Sequence, residues 1–335
     1  MRIRTLDLFA GCGGSSAGAK KAGAQIVAAV DAWKLATSAY RDNFPRARVI
    51  TKRIERVAAR PLEAEIGPIN LLLASPECTN HTCARGSAQR FEESRKTALQ
   101  VLRFARAFEP RWIVIENVVQ MRSWRRYRGF IESLKSLGYN VAPQVLEAKD
   151  FGVPQSRRRL FIVCDRERTP PKVRPTRARR TKAASEVVKM NGEWRSTPLF
   201  TDQRATNTVV RYLTGVAKMG EKKPFLLVYY GSDGGGGWQR LDRPLRTVTT
   251  VDRFALIKQG RREPKIRMLQ VPELQQAMGF ASGYKLNGGT RRDRIKLLGN
   301  AVCPPVMAAV VRSLTRSEKK RGSWRDRRSR PSERK

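Results

Sequence analysis

Six short runs of aliphatic and β-branched residues punctuate the first 165 residues: "IRTLDLF", "QIVAAVD", "INLLLAS", "RWIVIENV", "GYNVAPQVLEA" and "RRRLFIVCD". Between them lie stretches with helical spacing, from about Ser15 to Ala22, across "KLATSAYRDNF" up to Pro45, and across "SRKTALQVLRFARAF". Strands that alternate with helices predict an α/β chain, with a doubly wound, mostly parallel sheet covered on both faces. Ligands on such sheets bind at the carboxyl ends of the strands. The loops after Phe9, Asp31, Ala74 and Ile115 are therefore expected to open on one crevice.

The texture changes after Asp165. "RERTPPKVRPTRARRTKAAS" is rich in Pro and Arg, and "GSDGGGGWQRLDRPLRTVTT" carries four consecutive glycines. These features predict a catalytic domain over 1–165 and a smaller, strand-rich domain over about 166–290. A C-terminal segment, 291–315, enters a helix through "RIKLLGNAVCPPVMAAVVRSL". In the tail, 316–335, ten of twenty residues are basic and apolar periodicity is absent, which predicts a disordered, solvated segment.

Charge narrows the partner. The chain has 68 Lys and Arg against 29 Asp and Glu, a formal net charge of +39. An excess of this size points to a polyanion, because each neutralised phosphate releases condensed counterions. The basic residues are not confined to one amphipathic helix, which favours nucleic acid over a membrane surface. There is no apolar run of 18 residues to span a bilayer, and Asp7 interrupts the N-terminal run where a signal peptide would be apolar. Five cysteines and one histidine form no C-x-x-C pair and no two-plus-two zinc spacing, so no metal is expected and a reducing cytoplasm fits.

Three stretches carry chemistry. "DLFAGCGG" follows the first strand and opens a helix, where glycines permit close backbone approach to a ligand and the helix N-terminus favours an anionic group. Asp31 ends the second strand about twenty residues on, where an acid can hold a ribose hydroxyl pair. Ser16 stands at the third glycine of the dinucleotide fingerprint, so a ribosyl cofactor other than a dinucleotide is expected. Cys78, in "ASPECTNHTCARG", is either a buried structural thiol or a nucleophile activated by nearby positive charge. Glu116 and Asn117 close another strand at the same edge, where Glu116 could be a strand-end ion pair or an acid serving the crevice.

Together these stretches resemble the DNA (cytosine-5) methyltransferase family of the bacterial and phage type. "DLFAGCGG", "SPEC", "ENV", "QSRRR", "RPLRT" and "LLGNAV" follow the order of the family's motifs from residue 7 to about 312. The resemblance implies the S-adenosylmethionine-dependent methyltransferase fold with a target recognition domain. It implies a cofactor site formed by Phe9, Ala10, Gly11, Cys12, Gly13, Gly14, Asp31, Ile54, Asn300 and Val302, with S-adenosyl-L-methionine as cofactor. It makes Cys78 the nucleophile and Glu116 the catalytic acid, with Arg157 and Arg159 binding the base carbonyl or holding the loop. Pro76, Asn117 and Gln155 fall on the substrate side. The implied reaction is methylation of carbon 5 of a cytosine flipped out of double-stranded DNA, by a cytoplasmic monomer that can accompany a cognate restriction endonuclease. The same motifs would also serve a tRNA methyltransferase of this fold or an inactive DNA-binding relative.

The chain departs from the family pattern at several points. Glu77 stands where a proline usually precedes the cysteine, Thr79 replaces a glutamine, and His81 an apolar residue. Arg53 occupies the place of an acid that contacts the cofactor's adenine, and Cys303 precedes the closing prolines. An acid beside Cys78 raises the thiol's pKa, which gives Arg157, Arg159 or Arg85 a compensating role.

Overall fold

The computed structural model describes residues 2–76, 92–175, 181–230, 237–260 and 263–328. Cys78 lies outside the described residues, as do Glu77, Thr79, His81, Cys83 and Arg85.

The first half follows the expected alternation: β1 (Ile3–Leu8), α1 (Gly14–Lys21), β2 (Ala24–Asp31), α2 (Lys34–Asn43), β3 (Arg48–Thr51), α3 (Ala59–Ile66), β4 (Leu71–Ala74), α4 (Glu92–Phe108), β5 (Trp112–Asn117), α5 (Tyr127–Ser136), β6 (Asn140–Glu147) and β7 (Arg158–Asp165). The sheet order is β3-β2-β1-β4-β5-β7-β6. The strands β1 to β5 pair in parallel, whereas β7 runs antiparallel to both β5 and β6. Sequence periodicity does not reveal this reversal. Only residues 148–157 join β6 to β7, too few for a crossover helix, so the pair closes as a hairpin.

Side chains alternate between two cores along the strands. Leu72, Ile113, Ile115, Leu160 and Ile162 pack on one face with α3, α4 and α5. Leu71, Leu73, Trp112, Val114 and Phe161 pack on the other with α1 and α2. Both faces are covered, which is why these strands read as nearly continuous apolar runs.

Beyond β7 come β8 (Thr197–Pro198), α6 (Thr206–Met219), β9 (Phe225–Val228), β10 (Trp238–Gln239), β11 (Phe254–Gln259), β12 (Pro264–Met268), α7 (Val271–Ala277), α8 (Arg291–Asn300) and α9 (Pro304–Arg328). The five strands form an antiparallel sheet, β10-β9-β11-β12-β8. Phe225, Leu227, Ala255 and Ile257 face α6 through Tyr212. Leu226, Val228, Phe254 and Leu256 join the same core as Val306, Met307, Val310 and Leu314 of α9. The smaller sheet thus shares its inner face with the main domain.

The stretch Arg291–Arg316 is apolar and long enough to cross a membrane by composition, yet 72% of its most apolar window is buried inside the fold. Its hydropathy is that of a core helix. The backbone of α9 continues to Arg328, well into the segment expected to be disordered. Its Lys, Arg, Glu and Ser residues tolerate helix, and no proline follows Pro305 until Pro331.

Candidate active site

Sheet register brings the predicted loops to one edge. Leu8 pairs with Val30 and with Ala74, Ala74 with Ile115, and Asn117 with Leu160. The ends of β1, β2, β4 and β5 therefore lie side by side, beside the start of the reversed β7.

The β1–α1 loop is shaped by its backbone. Phe9 and Gly11 both have φ of 54° and Gly13 has 92°, left-handed values that favour glycine and are uncommon for a phenylalanine. Asp31 holds the loop in place: one carboxylate oxygen accepts from the Gly11 amide at 2.8 Å and the other from the Trp33 amide at 2.8 Å. Burial raises the Asp31 pKa, against those amide bonds. Ala10 is buried and bonded through its amide to Val30. Cys12 offers only its backbone to a ligand, because its thiol is fully buried near Leu297 and pushed up to about 12 by desolvation.

A side chain at Gly11 would meet nothing within 4 Å, whereas one at Gly14 would stand 2.3 Å from the Val302 carbonyl. The loop is thus open toward a ligand at Gly11 and closed against the C-terminal segment at Gly14. Phe9 and Ile54 belong to the adjoining apolar core, and the Ile54 carbonyl accepts from Arg103 at 2.6 Å. Asn300 is exposed at the end of α8 and Val302 is buried against the loop. An open glycine, apolar side chains and an acid suit a nucleoside-bearing cofactor. Arg53 is exposed and pairs with Glu55 at 3.5 Å.

Beneath this loop, Ser16 donates to Asp7 at 2.6 Å and also bonds Tyr40. The Asp7 pKa is pushed up to about 7, chiefly by burial, with Ser16 opposing and Asp31 adding to the rise. Its second oxygen is buried and finds no hydrogen-bond partner among the described residues. Tyr284, from the turn before α8, donates to the Cys12 carbonyl. Neither tyrosine was expected at the loop. The polar Asp7 inside an apolar strand was the one available signal.

The second half of the site centres on Glu116. It is 7% exposed, and the Arg159 Nε lies 3.3 Å from its Oε1. Burial raises its pKa, while Arg159 and then Arg157 oppose that rise. Glu116, Arg159, Phe161, Val302 and Cys303 line one small cavity. Cys303 is thus beside Glu116, with its thiol pushed up to about 11 by burial.

Three residues expected at the substrate or in catalysis are instead engaged by the protein. Asn117 is buried, donates to the Pro76 carbonyl at 3.1 Å, and accepts from the Val118 amide at 2.8 Å. Gln155 is fully buried, donates to the Ala277 carbonyl at 3.0 Å and accepts from the Val248 amide at 2.9 Å. Arg157 donates to the carbonyls of Val248, Gly299 and Ala301 at 2.8 to 3.1 Å. A buried arginine fork bonded to three backbone carbonyls is a clamp. Gln155 and Arg157 tie the chain entering β7 to the backbone at and just after "RPLRT", and Arg157 ties it to the closing segment, which positions Arg159. Pro76, itself buried, is the last described residue before Cys78.

Among the described residues no group of three or more His, Cys, Asp or Glu side chains is placed to hold a metal ion. A cleft of about 640 Å³ opens beside β10, lined by Lys149, Trp238, Arg240, Arg243 and Arg246 among others. Asp242 shares this lining and pairs with Arg240, and Lys149 pairs with Glu147 at 3.3 Å.

Comparison with known proteins adds a family. A model described as C-5 cytosine-specific DNA methylase matches residues 3–316. The chain is 35% identical over 169 residues to the type II methyltransferase M.HgiDI of Herpetosiphon aurantiacus, covering 48% of this chain and 52% of that relative. It spans about half or less of the length of the first curated relatives it matches. Two solved structures share its fold. One is a mutant DNMT2 of Spodoptera frugiperda, at TM-score 0.69 and 19% identity, covering 93% of this chain and 99% of that one. The other, from Escherichia coli, is encoded within a prophage and was solved as a candidate DNA modification methyltransferase. It aligns at TM-score 0.68 and 16% identity, covering 95% and 99%.

Proposed function

The chain belongs to the C-5 cytosine-specific DNA methylase family, and on that premise we propose that it methylates carbon 5 of cytosine in double-stranded DNA. The observation that carries this reading is the buried Glu116 carboxyl, its pKa raised by burial, 3.3 Å from the Arg159 guanidinium at the edge where the Cys78 segment begins.

Carbon 5 of cytosine is a weak nucleophile and needs activation. The Cys78 thiolate adds to carbon 6, forming a carbon–sulfur bond and moving a ring electron pair toward carbon 5. Glu116, in the protonated form that burial favours and Arg159 opposes, donates to ring nitrogen 3 and balances the charge that this attack creates. Arg159 binds the base carbonyl, while Arg157, Gln155 and Asn117 hold the surrounding backbone. S-adenosylmethionine, held by Phe9, Ala10, Gly11, Gly13, Asp31, Ile54 and Val302, supplies an electrophilic methyl group when bound. Once carbon 5 has bonded to that methyl group, its proton passes to water, the freed electron pair expels the Cys78 thiolate, and Glu116 takes back the nitrogen 3 proton as the aromatic ring is restored. The target carbon is inaccessible within a stacked duplex, so the cytosine is flipped out of the stack toward Glu116.

The test is incubation with methyl-labelled S-adenosylmethionine and either duplex DNA or tRNA. Label is expected at cytosine 5 of DNA from the parent chain and not from Cys78→Ser. Label confined to tRNA would replace the DNA reading with an RNA one. Parent and Cys78→Ser chains that are equally inactive on both would overturn it.

A further inference from the structure

Four arginines, Arg122, Arg125, Arg126 and Arg128, stand within seven residues immediately downstream of the strand that carries Glu116. β5 ends at Asn117, a 3-10 turn spans Val119–Ser123, and α5 begins at Tyr127. Met121 and Trp124 anchor this turn. Both are buried, and the Trp124 ring lies 6.4 Å from that of Phe130. With the apolar side chains directed inward, all four arginines are exposed.

Their surroundings leave their charge available. Among the described residues no carboxylate forms an ion pair with any of the four, and the first turn of α5 holds no acid. The acid further along α5, Glu132, is bonded to Lys135 at 2.9 Å. Arg122 makes a side-chain bond with Tyr127, which fixes its position without neutralising it. Nor does the helix favour the arrangement, because cations at a helix N-terminus oppose its dipole. Surface arginines are common in so basic a chain. Four on one turn fixed by two buried side chains and contiguous with Glu116, with Arg126 and Arg128 at the unfavourable end of α5, call for an anionic partner.

We propose that this arginine turn grips backbone phosphates of duplex DNA next to the cytosine held at Glu116. The inference rests on the DNA-methylating function above and names a surface for that substrate. From Arg122 to Arg128 is six residue steps, of which only the last lies in α5; at about 1.5 to 2 Å each they cover roughly 9 to 12 Å, and phosphates along one strand are spaced by about 3.4 Å of helix axis. The turn therefore reaches two or three successive phosphates. It holds the strand while the base is out of the stack, and it reads no sequence.

The experiment compares two variants of the full chain, each losing four positive charges. One replaces Arg122, Arg125, Arg126 and Arg128 with Gln. The other makes the same change at Arg2, Lys21, Arg46 and Arg106, which are exposed at the opposite edge of the sheet. Binding of a fluorescent duplex is followed by anisotropy against salt concentration, with thermal melting as a check on folding. The slope of log affinity on log salt is expected to fall by roughly 0.9 for each phosphate no longer neutralised, so by about 2 to 3 in the first variant and by much less in the second. Equal reductions in both variants would show that net charge alone is responsible and overturn the inference, as would an unchanged slope in the first. A reduction seen with tRNA but not with duplex DNA would overturn the choice of partner. Methylation by the parent chain is measured on the same duplex. If it fails, the functional reading falls and this inference with it; if it succeeds while the slope is unchanged, only the inference falls.

Discussion

The Asn117 side-chain amide donates to the Pro76 carbonyl at 3.1 Å, joining the strand end that carries Glu116 to the backbone two residues before Cys78. One side chain therefore fixes the end of the strand that carries the proposed acid to the last described residue before the proposed nucleophile. Asn117→Ala would leave a buried carbonyl and the Val118 amide without this partner, at about 1–3 kcal/mol of stability. Turnover is expected to fall by roughly 100-fold through misplacement of the reacting groups, with duplex affinity nearly unchanged. Steady-state kinetics beside equilibrium binding check this, and a variant that loses affinity but not turnover contradicts it.

Arg159 should set the pH range of activity. Its charge opposes the upward shift that burial imposes on Glu116. In Arg159→Gln that opposition is lost, so Glu116 holds its proton to higher pH. The rate will fall, but the alkaline limb of kcat against pH is expected to move upward. A limb that moves downward or stays in place would show that the Glu116 proton does not govern it.

Two glycines of one loop should fail in different ways. Gly14→Ala places a methyl group 2.3 Å from the Val302 carbonyl, an overpacking that costs about 1–3 kcal/mol and should appear as a lower melting temperature. Gly11→Ala meets no atom within 4 Å and bears mainly the left-handed backbone cost of about 1–2 kcal/mol, yet it fills the space left for a ligand. Calorimetry is expected to show S-adenosylmethionine affinity lost at Gly11→Ala even where the protein remains folded. Undiminished affinity there would remove the loop from the cofactor site.

Asp7 predicts how stability depends on pH. Its pKa rises from 3.8 unfolded to about 7 in the fold, so the unfolded chain ionises first as pH increases. The contribution is fully present below about pH 4 and is lost as pH rises through 7, amounting to about 4 kcal/mol at about 1.4 kcal/mol per unit. Asp7→Asn removes this dependence. Denaturant unfolding of both proteins from pH 4 to 8 should show the parent losing stability relative to the variant, and parallel curves would contradict the assignment.

Much of this site was legible because the strands that build it are buried on both faces and end in motifs. "RWIVIEN" reads directly as β5, and the Gly14–Val302 approach follows from the resemblance of "LLGNAV" to a segment returning to the cofactor pocket. The short edge strand β3, "RVIT", and α5, "YRGFIESLKS", are less regular: arginine, glycine and short length obscure their periods. Motif resemblance does not separate contact with substrate from support of the residues that make it. Asn117, Gln155 and Arg157 match family positions, yet their buried polar groups are engaged by backbone atoms. Only three-dimensional packing distinguishes a residue that touches a ligand from one that positions its neighbour. The pairing of Cys303 with Glu116 was likewise invisible, because 187 positions separate them.

The central claim is that Cys78 bonds covalently to cytosine while Glu116 supplies the proton. A duplex with 5-fluorocytosine at the target position tests it most directly, because fluorine at carbon 5 cannot leave as a proton and so the adduct persists. With S-adenosylmethionine present, the account predicts a protein–DNA complex that survives denaturation and maps by peptide mass to Cys78. It should be absent from Cys78→Ser and slower to form with Glu116→Gln. On a duplex that the parent chain methylates, no denaturation-resistant complex, or one attached at another residue, would contradict it.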